Sequence, residues 1–183
     1  MERVDRKILV ILVIILATSF FFDKAIIDLI TPISLASTPL HFFVSYGFIF
    51  ILLAALSVYF YKLKKPIIPI WLSPFIGGVL SVVVKLITGR PRFFAEKFLP
   101  LGIPDYSFPS SHISIVFALL PFLIKQTKNI RWVWLTYGML IVISRILLKQ
   151  HYFSDIMGGV LLGYSAGLIA LYLHKRFIKN KNK

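Results

Sequence analysis

Ser144-Arg145-Ile146-Leu147-Leu148-Lys149-Gln150-His151-Tyr152-Phe153-Ser154-Asp155 joins two long apolar runs, Trp132–Leu148 and Ser154–His174. Runs of this length read as membrane-crossing helices, since about 20 mostly apolar residues span the hydrocarbon core. The joint between them carries Arg145, Lys149, His151 and Asp155. Charge is costly close to lipid, so an ionisable cluster at such a place is a functional-site hypothesis by default. His151 and Asp155 are four apart, the spacing that lets two side chains meet on one helical turn. The plainer reading is a polar loop between two helices.

The rest of the chain has the same character. It has 183 residues, 58% of them hydrophobic, and a mean hydropathy of +0.84. This composition predicts an all-α polytopic membrane protein with a single domain over residues 1–183. The absence of cysteine excludes disulfides and a thiolate metal site. A net charge of +14 on so apolar a background points to anionic lipid head groups and topology signals, and away from nucleic acid.

Six spans are predicted. They are Ile8–Phe22, His41–Tyr61, Pro66–Ile87, the short Ser110–Ile124, Trp132–Leu148 and Ser154–His174. Small residues Ala17-Thr18-Ser19 would suit a cleaved signal, but the apolar run continues through Phe20–Phe22, so the first span is read as retained. Lys24–Thr31 is expected as a short interfacial helix after the first span, with Ile26, Ile27 and Ile30 toward lipid. Six alternating spans put the N-terminus, Lys62–Lys65, Lys125–Arg131 and the tail on one side. That side holds fourteen of the 21 Lys and Arg residues. The positive-inside rule makes it cytoplasmic. Both termini are then inside, and Trp71, Trp132 and Trp134 are expected as aromatic anchors at that interface.

Alternation also gathers the polar residues. The ends of spans three and five and the starts of spans four and six share the other side. Lys85 ends span three; Ser110, Ser111 and His112 open span four; Arg145 nears the end of span five; His151 and Asp155 open span six. Lys85, Arg90, Arg92 and Arg145 form an excess of positive charge around one carboxylate, which suits a phosphate gripped by Arg in bidentate fashion. The start of span four, at Ser110-Ser111-His112, adds free backbone N–H groups and the helix dipole. Two histidines beside a phosphate fit a nucleophile and a general acid, and Asp155 would fix one imidazole's tautomer. Two alternatives stay open on residues alone. One is a zinc hydrolase ligated by His112, His151 and Asp155, although the surrounding cations would repel a dication. The other is a non-catalytic binder or transporter of anionic lipid, which needs the cations but not the histidine–aspartate pair.

Three motifs in order carry a resemblance. Lys85-x6-Arg92, Pro109-Ser110-Ser111-His112 and Ser144-Arg145-x5-His151-x3-Asp155 resemble the Lys-x6-Arg-Pro, Pro-Ser-Gly-His and Ser-Arg-x5-His-x3-Asp motifs of the type 2 phosphatidic acid phosphatases. These are integral-membrane lipid phosphatases related to vanadium haloperoxidases. The match covers residues 85–155 in detail and the six-span bundle in outline. Phe93 stands where the family has Pro, and Ser111 where it has Gly. The resemblance implies a metal-independent lipid phosphate phosphatase. His151 is the nucleophile that forms a phosphohistidine, Asp155 orients it, and His112 is the general acid and then base. Lys85, Arg92, Ser110, Ser111 and Arg145 bind phosphate, while Arg90, outside the strict motif, is expected in head-group recognition. No metal, cofactor or obligate protein partner is needed beyond the bilayer and a lipid phosphate. Bacterial members act on lipid A 1-phosphate, phosphatidylglycerophosphate, undecaprenyl diphosphate or phosphatidic acid. Small size, short loops and excess cations favour the first two. The implied place is a bacterial-type inner membrane with the active site toward the periplasm or exterior.

Overall fold

The computed structural model describes residues 3–32, 42–93, 104–126 and 128–181. All its regular elements among those residues are helices: α1 (Arg3–Ile30), α2 (Tyr46–Lys62), α3 (Ile68–Thr88), α4 (Ser111–Ala118), α5 (Leu120–Ile124), α6 (Lys128–Leu147) and α7 (Phe153–Lys181). α4 and α5 form one segment broken at Leu119, with Pro121 in the first turn of α5. Six helical segments therefore make the bundle. By length and composition α1, α3, α6 and α7 are long and apolar enough to cross a membrane, and α2 and α4–α5 are shorter apolar helices.

Local chemistry sets the ends. No Gly or Pro interrupts Arg3–Thr31, so α1 runs 28 residues unbroken. The stretch expected as a separate interfacial helix is helical, as the continuation of α1; only Pro32 stops it. Ser45 caps α2 by accepting the Phe48 N–H at 3.2 Å. Past its end, Lys64 has φ 55°, and Lys65 N–H and Lys64 N–H return to the Phe60 and Tyr61 carbonyls. That pairing is a Schellman closure. Gly89, at φ 57°, closes α3 in the left-handed conformation.

The short segment α4–α5 sits at the centre. Ile113, Val116, Phe117, Leu119, Phe122 and Leu123 are all buried, so it is apolar on every side against protein rather than lipid. Its main neighbours are α3 and α7, and α7 also packs along α1. Glycines allow this. Gly159, Gly163 and Gly167 form one stripe on α7. A Cβ at Gly159 would lie 2.8 Å from the Ser110 carbonyl oxygen, and one at Gly163 or Gly167 would overlap the Ser114 or Ala118 carbonyl oxygen. Gly77 on α3 makes the same approach to Ser114 from the other side, at 2.9 Å. Backbone contact on both sides is what holds the His112 helix at a fixed depth.

Trp71 and Trp132 are exposed, as anchors should be. Trp134 is not. It is buried, and its indole N–H donates to the Val116 carbonyl at 2.8 Å. A six-helix bundle this small has to fill the space beside α4 with large side chains, and the indole nitrogen finds a partner there. Contacts at the two ends of the bundle agree with alternating spans. At one end Lys65 donates to the Gln126 carbonyl and Asp5 meets Lys125. At the other, Asp23, Lys85, Arg90, Arg92, Arg145 and Asp155 share one network of hydrogen bonds.

Candidate active site

The turn between α6 and α7 builds the core of the site. Lys149 has φ 55°. Gln150 N–H bonds to the Arg145 carbonyl and Lys149 N–H to the Ile146 carbonyl, a second Schellman closure. It folds Gln150 and His151 back over the end of α6. Gln150 Oε1 then accepts from Arg145 Nη1 at 2.7 Å, and the Gln150 carbonyl accepts from Arg92 Nη1 at 2.7 Å. Lys149 reaches away to the Thr31 carbonyl at 2.7 Å. It ties the turn to the end of α1.

Helix α7 starts at Phe153 with Asp155 in its first turn. Asp155 Oδ2 accepts the Tyr152 N–H at 2.9 Å, the reciprocal half of a capping box. Ser154 is tied to α1. Its N–H and hydroxyl donate to the carboxylate of Asp23 on α1, at 2.8 and 2.5 Å.

His151 is buried, and its Nδ1 lies 3.4 Å from Asp155 Oδ2. That carboxylate accepts the proton on Nδ1 and leaves the Nε2 lone pair open. Arg92 Nη1 stands 3.5 Å from Nε2. The turn lies outside the helices, and burial above all pushes the His151 pKa down to about 4. The charges of Arg92 and Lys85 add to that, and the hydrogen bond and charge of Asp155 oppose it. At neutral pH the imidazole is therefore uncharged.

A cavity of about 320 Å³ lies over this nitrogen. Its walls include Lys85, Arg92, Ser111, His112, Arg145 and His151. Six of the eight residues expected for catalysis and phosphate binding thus face one space. The other two stand behind it. Asp155 is fully buried under His151. Ser110 donates its N–H to the Asp155 carbonyl at 3.0 Å, and its hydroxyl is buried with no hydrogen-bond partner. Ser110 therefore joins the starts of α4 and α7, and Ser111 is the serine at the cavity wall. His112 stacks on Tyr46, with ring centroids 3.7 Å apart. Arg145 is buried, donates Nη2 to the Val44 carbonyl at 2.7 Å, and keeps Nε without a partner.

Arg90 has partners other than those head-group recognition requires. It is absent from the cavity wall. Nη1 donates to Asp155 Oδ1 at 2.8 Å and to Ser154 Oγ at 2.6 Å, and Nη2 donates to Asp23 Oδ2 at 2.8 Å. Its guanidinium lies 3.9 Å from the centre of the Tyr152 ring. Arg90 thus holds the Asp155 carboxylate from the side away from His151's cavity. Asp23, Asp105, Gln150 and Tyr46 belong to the site and carry no motif. The available signal was scarcity, since the chain has seven acidic residues against 21 cationic ones. The zinc alternative needs His112, His151 and Asp155 to converge on one point. Among the described residues no three such donors are grouped for a metal, and His151 Nε2 faces a guanidinium.

A six-helix membrane bundle that brings these three motifs to one buried polar cavity is the architecture of the membrane-bound PAP2 phosphatases. The chain belongs to the PAP2 superfamily, whose family model matches residues 66–179. It is 24% identical over 152 residues to undecaprenyl-diphosphatase BcrC of Bacillus subtilis (strain 168), covering 80% of this chain and 79% of that one. The fold is similar to that of LpxE from Aquifex aeolicus, with TM-score 0.61, 23% identity, and coverage of 82% of this chain and 95% of that one. It is likewise similar to the PAP2-type phosphatidylglycerolphosphate phosphatase of Bacillus subtilis, with TM-score 0.62, 22% identity, and coverage of 94% and 96%.

Proposed function

We propose that this chain, as a single membrane domain, removes phosphate from a phosphorylated or diphosphorylated membrane lipid through a phosphohistidine on His151. The observation that carries the reading is the pair His151–Asp155, with Nδ1 bound to the carboxylate and Nε2 turned to the arginine-lined cavity. A lipid binder or transporter has no use for that pair. In the first step the Nε2 lone pair attacks phosphorus, the bond to the lipid oxygen breaks, and His112 gives that oxygen a proton. In the second, water attacks, His112 takes its proton, and the P–N bond breaks to return neutral His151 and inorganic phosphate. Lys85, Arg92, Arg145 and the N–H groups at the start of α4 hold the phosphoryl oxygens as their charge grows. No metal is required in either step, and activity is expected to survive strong chelation.

The lipid half of the reading is supported by a second, apolar cavity. It lies between α2 and α3, has a volume of about 820 Å³, and is lined by Phe50, Trp71, Phe75 and Val79 among others. Tyr46, Gly78, Val82 and Ile115 line both cavities. A lipid whose head group sits at His151 can lay its chain there. We expect kcat/KM for a long-chain lipid phosphate in mixed micelles to exceed that for glycerol phosphate by at least about tenfold, or about 1.4 kcal/mol of differential binding. Equal values in one detergent would mean that only phosphate is read.

The substrates named for the similar proteins, an undecaprenyl diphosphate and a phosphatidylglycerolphosphate, stand with lipid A 1-phosphate and phosphatidic acid as the panel to screen. The short connections and excess cations favour lipid A 1-phosphate or phosphatidylglycerophosphate. Phosphate release from all four, measured side by side, decides among them.

The charge bias supports an inner membrane placement with both termini cytoplasmic and the cavity toward the outer face. Cysteine labelling is clean in a chain without thiols. A membrane-impermeant maleimide applied from outside is expected to reach Phe93→Cys and to miss Asn180→Cys. The reverse pattern would place the chemistry in the cytoplasm.

A further inference from the structure

Among the described residues the cavity wall carries one carboxylate besides its cations, that of Asp105. Its Oδ1 lies 2.6 Å from Lys85 Nζ and its Oδ2 lies 2.6 Å from Arg92 Nη2. It thus spans the two cations of the first motif. Little of either remains for a ligand. Lys85 also donates to the Tyr106 carbonyl. Arg92 gives Nε to the Asp105 carbonyl at 2.9 Å and Nη1 to the Gln150 carbonyl at 2.7 Å. A carboxylate of the protein itself therefore bridges Lys85 and Arg92. A phosphoryl group over His151 Nε2 needs the same donors.

We propose that Asp105 is an intramolecular competitor of the phosphoryl group, holding Lys85 and Arg92 in the empty enzyme and yielding them when substrate binds. This rests on Lys85 and Arg92 being phosphoryl ligands, as the functional reading has them.

The loop allows the exchange. Asp105 lies outside the helices, and its side chain is 19% exposed, against 5% for Lys85 and 7% for Arg92. Two residues on, the chain is pinned by the Ser107 N–H to the Arg90 carbonyl at 2.8 Å. The Phe108 carbonyl is pinned by the Thr88 hydroxyl at 3.0 Å. A change of rotamer at Asp105 releases Lys85 Nζ and Arg92 Nη2 from the carboxylate, while their bonds to the Tyr106, Asp105 and Gln150 carbonyls stay. The competitor has two uses. It keeps two buried cations paired when no substrate is present, since an unpaired buried charge is costly. On its return it displaces the inorganic phosphate left by hydrolysis.

The alternative is a prop, a carboxylate that holds Lys85 and Arg92 in place for the ligand. The two differ in sign. The probe is inorganic phosphate, titrated calorimetrically into the full chain in detergent. With a competitor, Asp105→Asn lowers the Kd for phosphate at least about tenfold, because a neutral amide with one accepting oxygen holds the two cations less tightly than the carboxylate does. Asp105→Ser is expected to do the same and serves if the asparagine variant does not fold. Asp105→Glu keeps the carboxylate and is expected to lack the gain. An unchanged or weaker Kd in both neutral variants would overturn the proposal and make Asp105 a prop. Lipid phosphate turnover by the parent protein is measured on the same preparation. Absence of turnover would sink the functional reading, while the sign of the Kd change judges Asp105 independently.

Discussion

His151→Ala is expected to lower kcat by at least about 10³-fold on any lipid phosphate that the parent protein hydrolyses. Among the described lining residues, His151 is the imidazole backed by a carboxylate, with Nε2 left toward the cavity. His112 is stacked on Tyr46, and the remaining walls are cationic or apolar apart from Asp105, Ser111, Ser81 and Gln150. The substitution removes a half-charged pair cheaply, since Asp155 keeps Arg90, the Tyr152 N–H and the Ser107 hydroxyl, so the variant is expected to fold. The parent's pH profile belongs to the same expectation. A histidine of ordinary pKa, about 6.5, is about 97% protonated at pH 5. With its pKa pushed down to about 4, His151 stays mostly neutral there. Phosphoryl transfer to the protein in a single turnover should therefore persist at pH 5. A loss of about 25-fold between pH 7 and pH 5 would show that the nucleophile titrates as an exposed histidine does.

Asp155→Asn is expected to cost on the order of 10³-fold in kcat. An amide in place of a carboxylate behind a catalytic imidazole loses the correct tautomer and the charge that stabilises the imidazolium-like state, and such losses reach about 10⁴ in serine proteases. The setting here is demanding. Asp155 is fully buried and its Oδ1 takes Arg90 at 2.8 Å while Oδ2 takes the Tyr152 N–H at 2.9 Å. An amide cannot accept at both positions, and its NH2 must face a donor. Arg90 retains Asp23 at 2.8 Å, which limits the structural damage. Steady-state kinetics with a thermal unfolding control checks this. A loss below tenfold with the fold intact would show that His151 needs no carboxylate behind it.

What the sequence made legible divides along physical lines. Lys85, Arg92, His112, Arg145, His151 and Asp155 fall within short contiguous motifs, and alternation of apolar runs alone brings those motifs to one end of the bundle. Asp23 and Asp105 have neither spacing nor periodicity to mark them. One lies at the far end of a helix from any motif, and the other sits in a loop between two motifs. Only the folded packing of α1 on α7 gives Asp23 to Ser154 and Arg90. Arg90 was read outward, as a head-group contact, because the motif register gave it no role; its inward course to Asp155 needed the third dimension. Trp134 was read outward for a similar reason, since aromatic residues near a span end look alike whether they face lipid or helix α4. The stripe Gly159, Gly163, Gly167 has a spacing of four, but the carbonyls of Ser114 and Ala118 that require it lie 49 residues away in the chain.

The covalent step is the centre of the account, and trapping it is the most direct test. Parent protein in detergent is mixed briefly with a 32P-labelled lipid phosphate, quenched in base, and resolved from free lipid. The account predicts label on the protein that is stable to base, labile to acid, and absent from His151→Ala. Turnover of the lipid with no protein-bound label at any quench time, or equal label on the His151→Ala protein, would contradict it.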